Sequence, residues 1–460
     1  ADAGTLCFGG VKDFQRGGKG VTARQDLIEE ASGVFPGVGE FGFPPIGPAF
    51  ERSVLEQTKR LKDSEAPPGL TAAVFKAVET GSGLDLSDKD VLNREGIARA
   101  LSAVRVSSSP GYPLNKFYSN NAGVFANPNQ LMIVSAVVIF RLAHMAAGHC
   151  KDLTALQCVE LGLRDPIYYF PKKEPHASRK LKEKRYRGIA SVSLCDGVVQ
   201  RVLHSDLNKL EISQFQEIPA KPGIGLEKGC TGNLFEQVVK KFEEHKMAYP
   251  TDISSFDMSV PAWALRADAE RRVLKTNSEG TPYATAVRAD VDMTADSVII
   301  FPSGNYYTQT IPGIQKSGSY CTSSANSWVR IMVSWALGFD CIAMGDDAIE
   351  FGPPGLGPSI PELYAKYGFT VKDEPAEFNP ADGFEFCSHE FHSGDRLIPL
   401  NVVKSVYRFL HTKEYIREAS EGIIHALLDH PKKEVYAAEI RRLCALKLSE
   451  VDDDSDVDQE

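Results

Sequence analysis

Apolar residues along this chain follow two rhythms. Short runs of strand length, bounded by Gly, Pro, Asp and Ser, alternate with longer stretches whose apolar positions recur at helical spacing. Residues 49–64 read as a helix, and Ser87-Asp-Lys-Asp90 is a start signal for a second helix running to about residue 104. Residues 129–148 form a strongly apolar helix expected to be buried. Helical stretches at 198–210 and 234–245 are separated by a Gly-rich turn at 223–229. Residues 276–304 read as loop and strand. A Ser-Gly loop at Ser317-Gly318 leads into an apolar helix at 328–337. Beyond it, 341–344 and 348–351 are short apolar runs either side of Gly345-Asp346-Asp347, the pattern of a β-hairpin with two neighbouring carboxylates at its tip. A Pro-rich break at 353–358 precedes a helix at 361–367 and an alternating hairpin candidate at 386–391. The chain is helical beyond Asn401.

Two adjacent carboxylates repel unless a cation lies between them or they point apart. Taken alone, the triplet fits a solvated turn as well as a metal site. A further acidic pair lies upstream in Tyr249-Pro-Thr-Asp252-Ile-Ser-Ser-Phe-Asp257, with Asp252 at the end of a short strand and Asp257 just before a helical pattern. An aspartate at a strand end plus an Asp-Asp hairpin is the minimal equipment for two divalent cations in phosphoryl transfer. Hard Mg²⁺ prefers carboxylate oxygens, and two ions about 3.5–4 Å apart stabilise both attacking and leaving oxygens.

The composition excludes several other classes. An apolar fraction of 43% is that of a globular protein with a sizeable core. Nine cysteines with no C-x-x-C pair argue for reduced thiols, not a zinc site or a disulfide framework. The apolar run at 131–140 is too short to span a bilayer, so no transmembrane segment is expected. No secretory leader pattern opens the chain, which starts at Ala1, a start compatible with release from a polyprotein. The net charge of −10 is unevenly spread. Residues 449–460 hold seven acids and no base, leaving −3 for the rest, and are expected to be disordered. The segment from Lys172 to Arg187 carries eight bases and two acids between apolar strand-like runs, as a β-ribbon would. Nucleic-acid binding needs such a local positive surface, not a positive total.

In order, D-x4-D at Asp252 and Asp257, S-G-x4-T-x3-N at Ser317, Gly318, Thr322 and Asn326, and G-D-D at 345–347 resemble motifs A, B and C of the RNA-dependent RNA polymerases of positive-strand RNA viruses. Lys172-Lys-Glu174 and Arg187-Gly-Ile-Ala-Ser191 are similar to motif F, Ser107-Ser-Ser-Pro-Gly111-Tyr-Pro113 to motif G, and the segment around Lys372 to motif D. Phe386-Cys-Ser-His389 stands in the place of motif E, in wording close to the sobemovirus and polerovirus branch.

The resemblance implies an α+β right-hand polymerase with fingers, a palm of antiparallel sheet backed by helices, and a small helical thumb. The expected division is 1–190 fingers with an extended N-terminal strap to the thumb, 191–230 palm helices, 231–247 connection, 248–275 palm with motif A, 276–304 return to the fingers, 305–400 palm with motifs B to E, 401–448 thumb and 449–460 tail. By the same resemblance Asp252, Asp346 and Asp347 hold two Mg²⁺ ions, with Mn²⁺ a substitute. Asp257, Ser317, Thr322 and Asn326 select the ribose, Lys172, Lys180 and Arg187 bind the triphosphate, Ser109, Gly111 and Gly318 line the template path, and Lys372 is a candidate general acid. Implied partners are RNA template and product, ribonucleoside triphosphates, a genome-linked viral protein and other replication proteins, in membrane-associated complexes of the host cytoplasm. A reverse transcriptase would carry a bulky aromatic where Asp257 stands. A non-catalytic RNA-binding protein would account for the basic segment but leave the acidic positions without a purpose.

Overall fold

The computed structural model describes residues 24–227 and 229–456, together with the strand Gly4–Thr5. The remainder of the expected strap, 1–3 and 6–23, and the end of the tail, 457–460, lie outside the described residues.

At the centre is a three-stranded antiparallel sheet, Met247–Thr251, Asp347–Gly352 and Asp340–Met344, with the middle strand formed by Asp347–Gly352. Alternation sorts its residues between two covers. Cys341, Ala343 and Ala348 pack toward Trp328, Ile331 and Met332 of the helix Thr322–Ala336. Ile342, Ile349 and Phe351 pack on the other face against Leu234 and Val238 of the helix Leu234–His245, and against Phe384, Phe386 and Phe391. Those phenylalanines belong to a second antiparallel sheet, Phe384–Phe386, His389–His392 and Arg396–Pro399. The helix Ala262–Lys275 lies beside Thr322–Ala336 behind the palm. The helix Leu70–Glu79, in the span expected as fingers, packs on both of these helices.

A second helical cluster packs Pro128–Ala146, Leu194–Ser213 and Pro282–Ala295 together, drawing on spans expected as fingers and as palm. The last of these corrects the loop-and-strand expectation for 276–304. Thr281 caps the helix by accepting from the Ala284 N–H, Pro282 takes the first turn, and the Ala-rich face is buried. Pro128–Ala146 is not buried all round: Val134, Val138 and Leu142 face the core, while Met132 is 66% and Ile133 53% exposed. By length and composition it is the one described helix able to cross a membrane. The helix expected to start at 87–90 starts instead at Asn93, whose side chain accepts from the Gly96 N–H. A five-stranded sheet has the order Gly4–Thr5, Asn305–Tyr307, Ile299–Ile300, Ile167–Pro171, Gly188–Ser191.

The N-terminal segment is a helix, Gln25–Ser32, followed by an aromatic stretch, and not an extended chain throughout. Its Leu27, Ile28, Phe35 and Val38 share a core with the C-terminal helices Val402–Leu410, Ile416–Ala426 and Lys433–Asp456. Phe41 and Phe43 lie 5.7 and 5.8 Å from the Tyr407 ring. Phe41 and Gly42 then pair with Ala177 and His176 inside the basic segment, so this stretch does bridge the C-terminal helices and that segment. The last helix runs to Asp456, which places the first part of the acidic tail in a helix and not in a disordered chain.

Buried ion pairs fasten these layers. Arg164 reaches Asp290 at 2.7 Å, and His204 meets the other oxygen of Asp290 at 2.8 Å. Arg271 and Arg272 clasp Asp268, and Arg272 also donates to Ser324 at 2.8 Å. Burial alone would raise both carboxyls, but the bases outweigh it and hold Asp268 and Asp290 at about 2. Their stabilisation is therefore complete above the unfolded value near 3.8 and is lost as pH falls through about 2. Circular dichroism on acid titration should show cooperative unfolding in that window; an unchanged signal at pH 2 would contradict the pairing.

Candidate active site

Residue spacing and strand register bring the acids together. Thr251 pairs with Ala348, so one further step of the same antiparallel register sets Asp252 across from Asp347. Asp347 pairs with Met344, leaving Gly345 and Asp346 as a two-residue turn. Gly345 has φ +62°, which the first place of such a turn requires. Its N–H donates to Ser327 Oγ at 2.8 Å, pinning the turn to the helix Thr322–Ala336. All three acids are exposed to the cleft. Even so, the crowding walls of the cleft desolvate Asp347, and with the charges of Asp346, Asp252 and Glu385 they push its carboxyl up to about 6.

Lys372 follows a bridge between Ile253 and Val371. Its N–H donates to the Asp252 carbonyl at 2.8 Å and its Nζ donates to the Asp252 carboxylate at 3.0 Å. The hydrogen bond to Asp252 raises the Lys372 pKa, keeping the ammonium protonated.

Asp257 and Asn326, 69 residues apart, meet: Asn326 Nδ2 donates to Asp257 Oδ1 at 2.9 Å. Burial raises Asp257 most; the Asn326 amide opposes it, nearby Asp346 adds to it, and the carboxyl settles at about 6. Asn326 is 5% exposed, and its Oδ1 is a buried acceptor with no partner. The other two residues expected at the sugar do not join this pair. Ser317 Oγ accepts from the Ala190 N–H at 3.1 Å, and the Thr322 hydroxyl is directed at the carbonyls of Lys316, Ser317 and Ser319. Both shape the loop. Gly318 donates to the Ala190 carbonyl at 3.0 Å, and a Cβ there would sit 2.3 Å from that oxygen.

The basic segment is a ribbon only at its base. Pro171 pairs with Gly188, the Lys172 N–H donates to the Arg187 carbonyl at 2.9 Å, and Ser178–Lys182 between them forms a short helix. Lys172 and Arg187 both pair with Glu174, at 3.2 and 2.8 Å. Lys180 stands beside them, its pKa lowered by burial and by Arg187, Arg185, Lys372 and Lys404. The loop of Ser109 and Gly111 packs on residues 192–194, beyond this segment: the Leu194 N–H donates to the Pro110 carbonyl, and a Cβ on Gly111 would sit 2.8 Å from Ser193.

A family model for viral RNA-directed RNA-polymerase matches residues 87–394, from just before the helix Arg94–Ser102 to the second strand of the second sheet. The chain belongs to that family. It is similar to the replicase polyprotein P2AB of Southern cowpea mosaic virus, at 35% identity over 88% of this chain and 43% of that polyprotein. It is likewise 35% identical to protein P1-P2 of Potato leafroll virus over 69% of this chain and 30% of that protein. The chain thus spans less than half the length of these relatives. Among solved structures, the sicinivirus 3Dpol RNA-dependent RNA polymerase superposes with a TM-score of 0.63 at 15% identity, covering 86% of this chain and 85% of that one. At that identity the likeness concerns the fold, a right-hand α+β polymerase.

Two residues of this polymerase-family site escaped the sequence reading. Lys404, on the helix Val402–Leu410, reaches Glu174 at 3.8 Å and adds a base to the wall formed by Lys172, Lys180 and Arg187. Its sequence signal is only a lysine on an amphipathic helix. Arg330 is the other, and its signal is plainer: it is the one charge in the apolar run Trp328–Trp335.

The donor set suits a hard divalent cation in kind: three carboxylates whose charges repel one another at one end of the cleft. Among the described residues, no group of three or more Asp, Glu, His or Cys is close enough to hold an ion as it stands. Asp252 is turned to Lys372 instead. A Mg²⁺ site completed by water and substrate phosphates takes only one or two protein carboxylates, so these residues fit it without a preformed cage.

Gly318→Ala tests the loop geometry. The added methyl must push the loop off the Ala190 carbonyl, at a cost of about 1–3 kcal/mol. Denaturant unfolding should register that loss, and a variant as stable as the parent would show that the loop is not held there.

Proposed function

We propose that the chain carries out template-directed RNA synthesis, adding ribonucleotides to a 3′-hydroxyl with pyrophosphate as leaving group. The observation that carries the reading is the convergence, at one end of the central sheet, of Asp252, Asp346 and Asp347 with the Asp257–Asn326 pair, facing the bases Lys172, Lys180, Arg187 and Lys404.

In this reading Lys172, Lys180 and Arg187 hold the triphosphate, with Arg187 able to offer paired N–H donors to phosphate oxygens. An incoming triphosphate competes with Glu174 for these bases. Asp252, Asp346 and Asp347 would hold two Mg²⁺ ions, or Mn²⁺ in their place. Bound there, divalent ions lower the pKa of an attacking hydroxyl and neutralise charge developing on the leaving oxygens. Lys372 holds a proton on Nζ beside Asp252 and is placed to give it to the departing pyrophosphate. The buried Asn326 Oδ1 supplies an acceptor for the ribose 2′-hydroxyl. Ser109, Gly111 and Gly318 line the template path. Replication of a positive-strand viral genome, partnership with a genome-linked protein and other replication proteins, and work in membrane-associated complexes of the host cytoplasm belong to the same proposal. Their support is the replicase naming of the relatives.

The direct test is metal-dependent incorporation of labelled ribonucleotide on a homopolymer template, with and without a primer. Asp346→Ala should abolish incorporation while leaving RNA binding nearly intact, because the carboxylate and the basic wall act on different partners. Activity above trace level in that variant would remove Asp346 from the reaction.

Sugar selection has its own signature. A site built to hydrogen-bond a hydroxyl rejects an analogue lacking it, because its own buried groups are then unpaired. Asn326→Ala and Asp257→Ala should lose about 1–3 kcal/mol of preference for ribonucleotide over deoxynucleotide. The quantity to compare is the ratio of kcat/KM for the two sugars. If both variants keep the parent ratio, the pair does not read the 2′-hydroxyl.

A further inference from the structure

The helix Thr322–Ala336 sends one buried guanidinium, Arg330, to the acidic end of the sheet. Arg330 is 1% exposed, and each of its nitrogens has an assigned partner. Nη2 donates to Thr251 Oγ1 at 2.5 Å and to the Thr251 carbonyl at 3.3 Å, immediately before Asp252. Nε donates to the Asp346 carbonyl at 3.3 Å. Nη1 donates to the Tyr364 hydroxyl at 3.0 Å, and that hydroxyl in turn donates to the buried carboxylate of Glu350 on the middle strand. The guanidinium lies 5.3 Å over the Tyr364 ring.

These contacts reach the backbone beside two of the acids, Thr251 next to Asp252 and Asp346 itself. Asp252 lies one step past the last pair of its strand with Asp347–Gly352, held on its other edge by the Ile253–Val371 bridge, and Asp346 lies in the hairpin turn, so no ladder bond joins Asp252 directly to Asp346. The planar fork of Arg330 supplies that link, joining the end of one strand to the turn of the hairpin across a fixed span. The same helix carries Asn326 on Asp257 and Ser327 on the Gly345 N–H, four and three residues earlier and so on the same helical face.

We propose that Arg330 is a positioning residue that sets the separation of the Asp252 and Asp346 carboxylates, and with it the affinity of the acidic site for divalent cations. The inference rests on the polymerase reading above. A lysine cannot reproduce the role, because one ammonium cannot span Thr251, Asp346 and Tyr364 with fixed geometry. An ordinary core role would need the charge only to neutralise Glu350, and would leave cation affinity untouched once the protein is folded.

Three variants test this: Arg330→Lys, Thr251→Val, which removes only Oγ1, and Tyr364→Phe, which removes the hydroxyl link. Thermal unfolding establishes which of them fold; Thr251→Val keeps the shape of the side chain and serves if Arg330→Lys does not. The readouts are Mn²⁺ binding to the full chain without substrate, followed by loss of the free-ion paramagnetic resonance signal, and kcat for ribonucleotide incorporation. Loss of a residue that orients metal-binding carboxylates weakens metal affinity or activity by about tenfold to a hundredfold. Folded Arg330→Lys and Thr251→Val are therefore expected to bind Mn²⁺ at least about tenfold more weakly, with a matching fall in kcat. Ribose preference should be unchanged. Folded variants with parental Mn²⁺ affinity overturn the proposal, whether or not their stability has dropped. A parent chain that binds Mn²⁺ but incorporates no nucleotide would defeat the proposed function alone, since the Mn²⁺ comparison still decides the role of Arg330.

Discussion

The antiparallel register of Met247–Thr251 against Asp347–Gly352 is the constraint on which the rest depends. Side chains on a strand alternate faces, so a slip of one residue would send every side chain to the opposite cover. Here Ala348, fixed opposite Thr251, places Thr251 toward the helix behind and leaves Asp252 and Asp347 on the cleft side. The apolar residues enforce this. Ile349 and Phe351 must meet the phenylalanines of the second sheet while Ala348 meets the helix side, and a slip of one residue would satisfy neither cover. Core packing thus determines the position of two carboxylates that contribute nothing to it.

The charges in the cleft are arranged to be incomplete. Three acids repel at one end, and the bases Lys172, Arg187 and Lys404 share one carboxylate, Glu174, at the other. Burial and mutual repulsion hold Asp347 and Asp257 near 6, so that a cation or a hydrogen-bond donor is favoured there. A substrate that brings phosphates to the bases and cations to the acids relieves both ends at once. Glu174 and Lys372 serve as internal stand-ins: each occupies a group of opposite charge in the same cleft.

Much of this was legible in the chain, for reasons that differ from residue to residue. The hairpin at Gly345 is a local pattern, apolar runs around turn residues, and needed no knowledge of the fold. Asp257 and Asn326 are far apart in sequence, and only the family resemblance joined them. The helix Pro282–Ala295 went unread because alanines blur helical periodicity, although Thr281-Pro282 is a sound start signal. The strap was expected to be extended because Gly and Pro dominate its composition. Its Leu27, Ile28 and Ala31 gain their value only against thumb helices some four hundred residues away. Lys404 was invisible for the same reason: nothing local distinguishes a lysine facing Glu174 from one facing water.

The helix Thr322–Ala336 shows why buried charge belongs in this fold. Arg330 on one face and Ser324, bonded to Arg272 and Glu211, on another place ionic groups deep in the core. Such groups give up much of their hydration, and well-packed apolar side chains of similar volume would often stabilise as much. What apolar contacts lack is direction. They let a helix slide by fractions of an ångström at little cost, whereas a guanidinium fork with three fixed acceptors does not. This helix carries the residue that meets Asp257 and also braces the turn that carries Asp346, so a small slide would misplace both. Arg330 therefore stands where directional fixing is needed, between the Asp257–Asn326 pair and the acidic hairpin.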